Sequence, residues 1–189
     1  MLILASKSPR RRELLALYTE EFQIDVSSAA EPGFSGGAVS DYVEDLARRK
    51  ARDVAVRHKG DTVIGADTVV AFGGEVLGKP RDLAHAREML LSMSGGRQEV
   101  YTGVCVICRG EERCFSVCTT VIFRKLSEDE IDAYVQTGDC LDKAGAYGIQ
   151  GGAGEFVETI EGDYFNVIGL PMNELSRVLE EILKTHSKW

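Results

Sequence analysis

Histidine is scarce in this sequence. His58, His85 and His186 are the only three and lie far apart, so no imidazole cluster suggests a zinc hydrolase or a Ser-His triad. No apolar run approaches the ~20 residues of a membrane-spanning helix. Positive charge is the minority: 22 Lys and Arg stand against 30 Asp and Glu, a formal net charge of −8. A polynucleotide binder carries at least one strongly basic face, so neither nucleic acid nor membrane is an expected partner. The opening MLILASKSPRRR puts its basic residues after a short apolar stretch, the reverse of a secretory signal, and the protein reads as cytoplasmic. Internal repeats, linkers and low-complexity runs are also missing. The 189 residues, 44% hydrophobic and 28% charged, suit a single domain over 1–189 with a real core.

Cysteine is few and odd in number, five in all, and free thiols are the default for such a chain. Cys105 and Cys108, followed by Cys114 and Cys118, resemble half of a zinc pattern. The surrounding VYTGVCVICRG reads as a strand, however, and side chains three apart on a strand face opposite ways. Zinc is therefore not expected, nor a chemical role for any Cys.

The elements present alternate in type. LILA is a short buried strand. Ser8 then caps a helix with Pro9 at its first position. FQIDV reads as a strand, and apolar positions from Ser40 to about His58 recur at helical spacing. TVIGADTVVAF is expected as a strand broken by Gly65, and 83–93 as a helix ending near Gly95. QEVYTGVCVIC and RCFSVCTTVIF should pair as a hairpin through RGEE. Ser127 and Glu130 form a capping box. EFVETI and YFNVIGL are expected as a second hairpin turning near Gly162–Asp163, and Pro171 opens the last helix. Helices interleaved with hairpins predict an α/β fold with a mixed sheet.

Positive charge is local. Arg10, Arg11 and Arg12 form one cluster, and Arg10 and Arg11 fall in the first turn of a helix, where they oppose the helix dipole but favour an anion bound at the N-terminus. Arg supplies planar, bidentate donors for phosphate. Asp67 lies inside an apolar strand, where a charge is costly unless something binds it, and Glu31 follows a strand in a loop. Carboxylates near phosphate-binding cations suit Mg²⁺, which prefers oxygen ligands. GGEVLGKP spans a P-loop spacing up to Lys79, but Pro80 stands where that motif needs Ser or Thr; Lys79 remains a fixed ammonium in a Gly-Lys-Pro turn. DKAGAYGIQG, 142–151, is too Gly-rich for a helix interior, and Gly is placed where backbone turns sharply or approaches something closely.

LASKSPRRREL, LARRKA, GADTVV, GKP, SGG…VYTGV, DKAGAYGIQG and VIGLP together resemble, in order and spacing, the Maf family of nucleoside triphosphate pyrophosphatases, also labelled septum-formation inhibitors. The resemblance runs from Leu2 to about Pro171. Gln150 in DKAGAYGIQG, with GADT and SPRR, is similar to the subgroup acting on dTTP and UTP. The resemblance implies an elongated, twisted mixed sheet flanked by helices, as in inosine triphosphatases, with two lobes around a central cleft. It also implies a homodimer, a nucleoside triphosphate substrate, and Mg²⁺ or Mn²⁺ as cofactor. On this sequence it implies Asp67 as general base, with Glu31 and Asp67 holding the metal. Arg10, Thr68 and Gln150 would set substrate choice, and Ser6, Arg11, Lys50 and Lys79 would bind phosphate or substrate. Gln98 departs from the family, which usually has His there. Two alternatives stand beside this reading: a pyrophosphatase for 7-methyl-GTP or another modified nucleotide, and a non-enzymatic nucleotide-binding regulator of septum formation.

Overall fold

The apolar stretches named above assemble into one seven-stranded sheet. The structure, a computed structural model, describes residues 1–186; residues 187–189 of the expected domain and the side chain of His186 lie outside the described residues. The strands are β1 (Leu2–Leu4), β2 (Phe22–Ile24), β3 (Thr62–Phe72), β4 (Glu75–Leu77), β5 (Arg97–Cys108), β6 (Glu111–Phe123) and β7 (Val157–Glu161). Their order is β2-β1-β3-β5-β6-β7, with β4 paired to β3. β1 pairs in parallel with β2 and β3, whereas β4 and β7 pair antiparallel with β3 and β6. The sheet is thus mixed. The helices are α1 (Pro9–Ala16), α2 (Val39–Ala55), α3 (Leu83–Met93), α4 (Glu128–Gln136), α5 (Tyr164–Ile168) and α6 (Met172–His186).

The chain divides into two compact units. The first comprises 1–67, 102–117 and the residues from 169 on; the second comprises 68–101 and 118–168. In the first, α2 buries Val43, Leu46, Ala47, Ala51 and Val54, and α6 buries Leu175, Val178, Leu179 and Ile182. In the second, α3 and α4 cover a core that includes Leu90, Met93, Phe123, Ile131 and Tyr147. There Phe123 meets the Tyr147 ring edge-on at 4.8 Å.

Local signals set several element ends. The Ser8 hydroxyl accepts from Arg11 N at 3.4 Å, with Pro9 at the first helical position. The capping box of α4 is complete: Ser127 Oγ accepts from Glu130 N, and Glu130 accepts from Ser127 N. Two expectations fail. YFNVIGL forms no hairpin strand; its first five residues are α5, and β7 pairs with β6 instead. The cause is Asp163, whose Oδ1 accepts from Phe165 N and Asn166 N at 2.7 and 3.2 Å and starts a helical turn. The Asn166 side chain then donates to Val100 O and Thr119 Oγ1 at 2.9 and 3.0 Å, which anchors that turn against the sheet.

The second failed expectation is the break at Gly65, because β3 runs unbroken through it. Gly65 is there for the helix above it. A Cβ at this position would lie 2.3 Å from Ala47 O and 2.6 Å from Ala51 N. Gly103 on β5 does the same for the preceding turn, where a Cβ would lie 2.3 Å from Val43 O. Helix α2 therefore rests directly on the backbone of two strands. Gly65→Ala should destabilise the protein by about 2–3 kcal/mol, as overpacking of a filled core does, and lower Tm by roughly 5–10 °C. Gly33→Ala, with nothing within 4 Å of the added carbon, is the control and should leave Tm nearly unchanged. Equal thermal unfolding curves for the two variants would show that α2 does not need this close approach.

Candidate active site

The site begins at the turn between β1 and α1. Ser6 is 7% exposed, and its hydroxyl accepts from Ser8 N at 3.2 Å and from Arg11 Nη1 at 3.3 Å. Arg11 also donates from Nη1 to Ala66 O at 2.9 Å and from Nε to Gly169 O at 2.8 Å. One guanidinium thus ties together the start of α1, strand β3 and the segment leading into α6. Burial pushes the Arg11 pKa down, opposed by the negative charge of Asp67 and, more weakly, of Glu31. Arg10, half-buried beside it in the first turn, adds like charge that also lowers the Arg11 pKa.

Asp67 is two residues beyond Gly65 on β3, so its side chain leaves the strand on the face that α2 covers. Lys50 precedes Ala51, one of the residues lying over Gly65. The two meet: Lys50 Nζ is 2.5 Å from Asp67 Oδ1 and 2.7 Å from Glu31 Oε1. The Lys50 and Asp67 side chains are each only 13% exposed, while that of Glu31 is 60% exposed. A buried charge pair of this kind persists only because each partner compensates the other.

The loop that carries Glu31 is held to α2 at both ends. Asp53 Oδ2 accepts from Ser27 Oγ and Ser28 N at 2.9 and 2.8 Å. Tyr42 Oη donates to Pro32 O at 2.9 Å, and its ring meets Phe34 edge-on at 5.3 Å. Burial raises the Tyr42 pKa, and the charges of Asp67 and Glu31 raise it further. Tyr42 thus borders the carboxylates, yet the sequence reading passed over it. The signal was present: 42, 46 and 50 are successive i, i+4 positions, which puts Tyr42 on the Lys50 face of α2. The carbonyls of Ala66 and Gly169, which receive Arg11, have no signature in side-chain type.

Ser6, Arg10, Arg11, Glu31, Lys50 and Asp67 therefore belong to one cluster in the first unit. Thr68, Lys79 and Gln150 belong to the second unit. Thr68 follows Asp67 on β3 and is half-buried, Lys79 is exposed in the segment between β4 and α3, and Gln150 is exposed in a turn. Within that unit, Gly145 N donates to Gly78 O at 3.0 Å, joining the Gly-Lys-Pro turn to the Gly-rich segment. The glycines of that segment serve packing inside the protein. Gly145 has φ 70°, and an added Cβ would lie 2.9 Å from Val70 Cγ2. Gly148 admits the stem of Lys143, whose Cε would be 2.6 Å from such a Cβ. Lys143 Nζ then donates to Asp139 O at 2.5 Å and to the carboxylates of Asp139 and Asp142, each at 2.8 Å. Gln98 is fully buried in the same unit.

Three kinds of likeness to known proteins bear on this arrangement. The family described as Maf-like protein matches residues 1–182. A protein of Thermococcus kodakarensis named dTTP/UTP pyrophosphatase is 54% identical over 181 residues, covering 95% of this chain and 96% of its own. Proteins of the same name from Clostridium botulinum and Bacillus anthracis are 48% and 47% identical, the first covering 96% of both chains and the second 95% of this chain and 94% of its own. Among solved structures, that of the Staphylococcus aureus Ham1 protein matches with a TM-score of 0.47 at 14% identity, over 65% of this chain and 71% of its own. With the family matched from residue 1 to residue 182 and relatives alike over nearly their whole length, the chain belongs to the Maf-like protein family.

Proposed function

We propose that this protein is a nucleoside triphosphate pyrophosphatase that hydrolyses dTTP and UTP to the monophosphate and pyrophosphate. The observation that carries the reading is the meeting of Asp67 and Glu31 on the Lys50 ammonium, 2.5 and 2.7 Å away, beside Arg11. The name shared by relatives that match 94–96% of their own length agrees with it. A cluster of this charge has a use on a polyphosphate and none on an uncharged ligand. A protein that only bound nucleotide would gain nothing from carboxylates next to phosphate oxygens.

The chain's own groups divide the work. Asp67 orients a water and takes its proton as it attacks the α-phosphorus. Lys50 holds Asp67 in place and supplies positive charge as the pyrophosphate leaves. Arg10 meets the phosphate oxygens, and Lys79 is a phosphate- or substrate-binding group of the second unit. Arg11 has Nε and Nη1 committed to backbone carbonyls, so it contributes charge from a fixed position and organises the turn that carries Ser6. The oxygen donors of Glu31 and Asp67 fit Mg²⁺ or Mn²⁺, and their two negative charges exceed the single charge of the Lys50 ammonium they share. Bound there, the ion would neutralise charge building on the phosphate oxygens. Thr68 and the exposed amide of Gln150 select the base. An amide offers a donor and an acceptor to the edge that uracil and thymine share, an N–H between two carbonyls. A homodimer in the cytoplasm completes this reading.

Pyrophosphate release across a nucleotide panel, with and without Mg²⁺ or Mn²⁺, is the direct test. Rapid release from dTTP and UTP, dependent on the ion, is the expected result. A preference for 7-methyl-GTP, or binding without turnover, would replace this reading with one of its rivals.

Asp67→Asn keeps the shape of the side chain and removes the proton acceptor. Turnover of dTTP should fall by roughly 10²–10⁴, the usual worth of a positioned base, with the protein still folded, because the Lys50 ammonium keeps Glu31 at 2.7 Å. Near-normal turnover would remove Asp67 from this role.

Lys50→Met should destabilise the fold by about 2–3 kcal/mol, since it strands a mostly buried carboxylate. The double variant Lys50→Met, Asp67→Asn should recover much of that loss, because neighbouring charges couple. Additive losses in denaturant unfolding would mean that the pair is not coupled.

CTP is the sharper control on base choice, being of the right size with an altered edge. It should be cleaved more slowly than UTP. Gln150→Ala should narrow that difference and cost less turnover than Asp67→Asn. Equal loss on every nucleotide would make Gln150 a shaping residue, not a reader of the base.

A further inference from the structure

Cys105 and Cys114 have no part in the site above, yet the fold sets them face to face. Strands β5 and β6 are joined by Arg109 and Gly110 alone, with φ of 49° and 88°. A two-residue turn with two positive φ values fixes the register of its hairpin. Cys108 is then opposite Glu111, Ile107 opposite Glu112, and Cys105 opposite Cys114. Pairs alternate between hydrogen-bonded and non-hydrogen-bonded outward from the turn, which makes Cys105–Cys114 a non-hydrogen-bonded pair, with Cα atoms ~4.5 Å apart in such geometry. A disulfide needs about 4.4–6.8 Å between Cα atoms. The side chains agree: the sulfurs of Cys105 and Cys114 and a carboxylate oxygen of Glu112 all lie within 4.8 Å of one another.

We infer that Cys105 and Cys114 are a cross-strand dithiol that a low-molecular-weight disulfide oxidises reversibly to an intramolecular disulfide. The two thiols are unequal in the way such a pair requires. Cys105 is fully buried against Ala47, Ala51 and Val63, whereas Cys114 packs at the edge of this cluster and is half-exposed. The hydrogen bond from the Cys105 thiol lowers the pKa of Cys114 against the effect of its burial, and the charge of Arg48 on α2 lowers it further. The same hydrogen bond, together with burial, raises the pKa of Cys105. The Cys114 thiolate is thus the attacking group. It displaces one thiolate from the small disulfide and forms a mixed disulfide. Cys105 then gives up its proton, attacks the Cys114 sulfur and displaces the second thiolate. Two small thiols are released, and the protein loses two hydrogens in all.

These three side chains could also be imagined around a soft metal ion. The surroundings argue against it. Glu112 is already engaged by Arg52 at 2.7 Å and by Arg48 at 3.0 Å, so an added cation would sit against two guanidiniums. The same arginines favour a thiolate. The sequence reading compared Cys105 only with Cys108, three along one strand, and so missed a pair that exists across two.

The test uses the whole protein in mixtures of glutathione and glutathione disulfide, quenched with acid and blocked with N-ethylmaleimide. Cleavage after Arg97, Arg109, Arg113 and Arg124 should yield peptide 98–109 linked to peptide 114–124, with fragmentation placing the bond between Cys105 and Cys114. Dithiothreitol should reverse it. Cys108→Ser and Cys118→Ser should still form the link. Cys105→Ala should instead retain glutathione on Cys114, and Cys114→Ser should leave Cys105 unmodified. Full blocking of both thiols at every ratio, a link through Cys108 or Cys118, or a stoichiometric zinc ion that protects both thiols would each overturn the inference.

Discussion

The closeness of helix α2 to the sheet is the constraint on which the first unit depends. With no Cβ at Gly65 and Gly103 and only methyl groups at Ala47 and Ala51, the helix backbone touches strand backbone. Bulkier residues would hold it at the usual side-chain distance. At that distance Lys50 would approach Asp67, two strand residues beyond Gly65, less closely. The ion pair thus follows from an absence of side chain. Interiors are packed too tightly for a helix to shift and accommodate an extra methyl group at no cost.

Helical periodicity then sorts the charges of α2. Lys50 falls on the side of Asp67 and Glu31, while Arg48 and Arg52, a turn apart, fall on the side of Glu112. At the end of the helix Asp53 and Arg57 tie down neighbouring backbone, and Asp25 accepts from both Arg57 and His58. The basic run ARRKAR is therefore not one patch. Lys50 is mostly buried with its carboxylates, Arg48 and Arg52 share the part-buried Glu112, and Arg49 pairs with the exposed Asp45 at 2.6 Å. The buried pair has the larger energetic stake, since exposed pairs contribute only ~0–1 kcal/mol each.

How much of this could be read from the sequence depends on how local each cause is. The capping box at Ser127 and Glu130, the Pro9 and Pro171 helix starts, and α2 itself were legible because their signals lie within a few residues. The α5 turn was not. Tyr164, Phe165 and Val167 have strand propensity, and it was overruled by the Asp163 cap and by Asn166 bonding to residues 66 and 47 positions away. Of the meeting of Lys50 with Asp67, the sequence showed a charge inside an apolar strand at Asp67 and, through the resemblance alone, a binding residue at Lys50. That they touch depends on two glycines, one of which had been read as breaking the strand. The thiol pair required the hairpin register, which two turn residues decide.

In the Gly-rich segment 142–151 the structure gives the glycines a different use from the one their pattern suggests. Its glycines invite the reading that backbone there makes way for a ligand. In the structure the space they leave is taken by the protein: by Val70 at Gly145, by the Lys143 stem at Gly148, and by Asp139 at Gly151, where an added Cβ would lie 2.9 Å from Oδ2. The Lys143 ammonium, held by Asp139 and Asp142, closes the turn from inside. What the glycines provide is a chain path tight enough to be fixed by one buried lysine, with Gln150 exposed on it. A base-reading amide needs such a mounting, because an amide on a loose loop would lose in ordering entropy much of what its hydrogen bonds contribute. The glycines therefore act through rigidity, and a side chain added at Gly148 would displace the Lys143 stem and loosen the turn that carries Gln150.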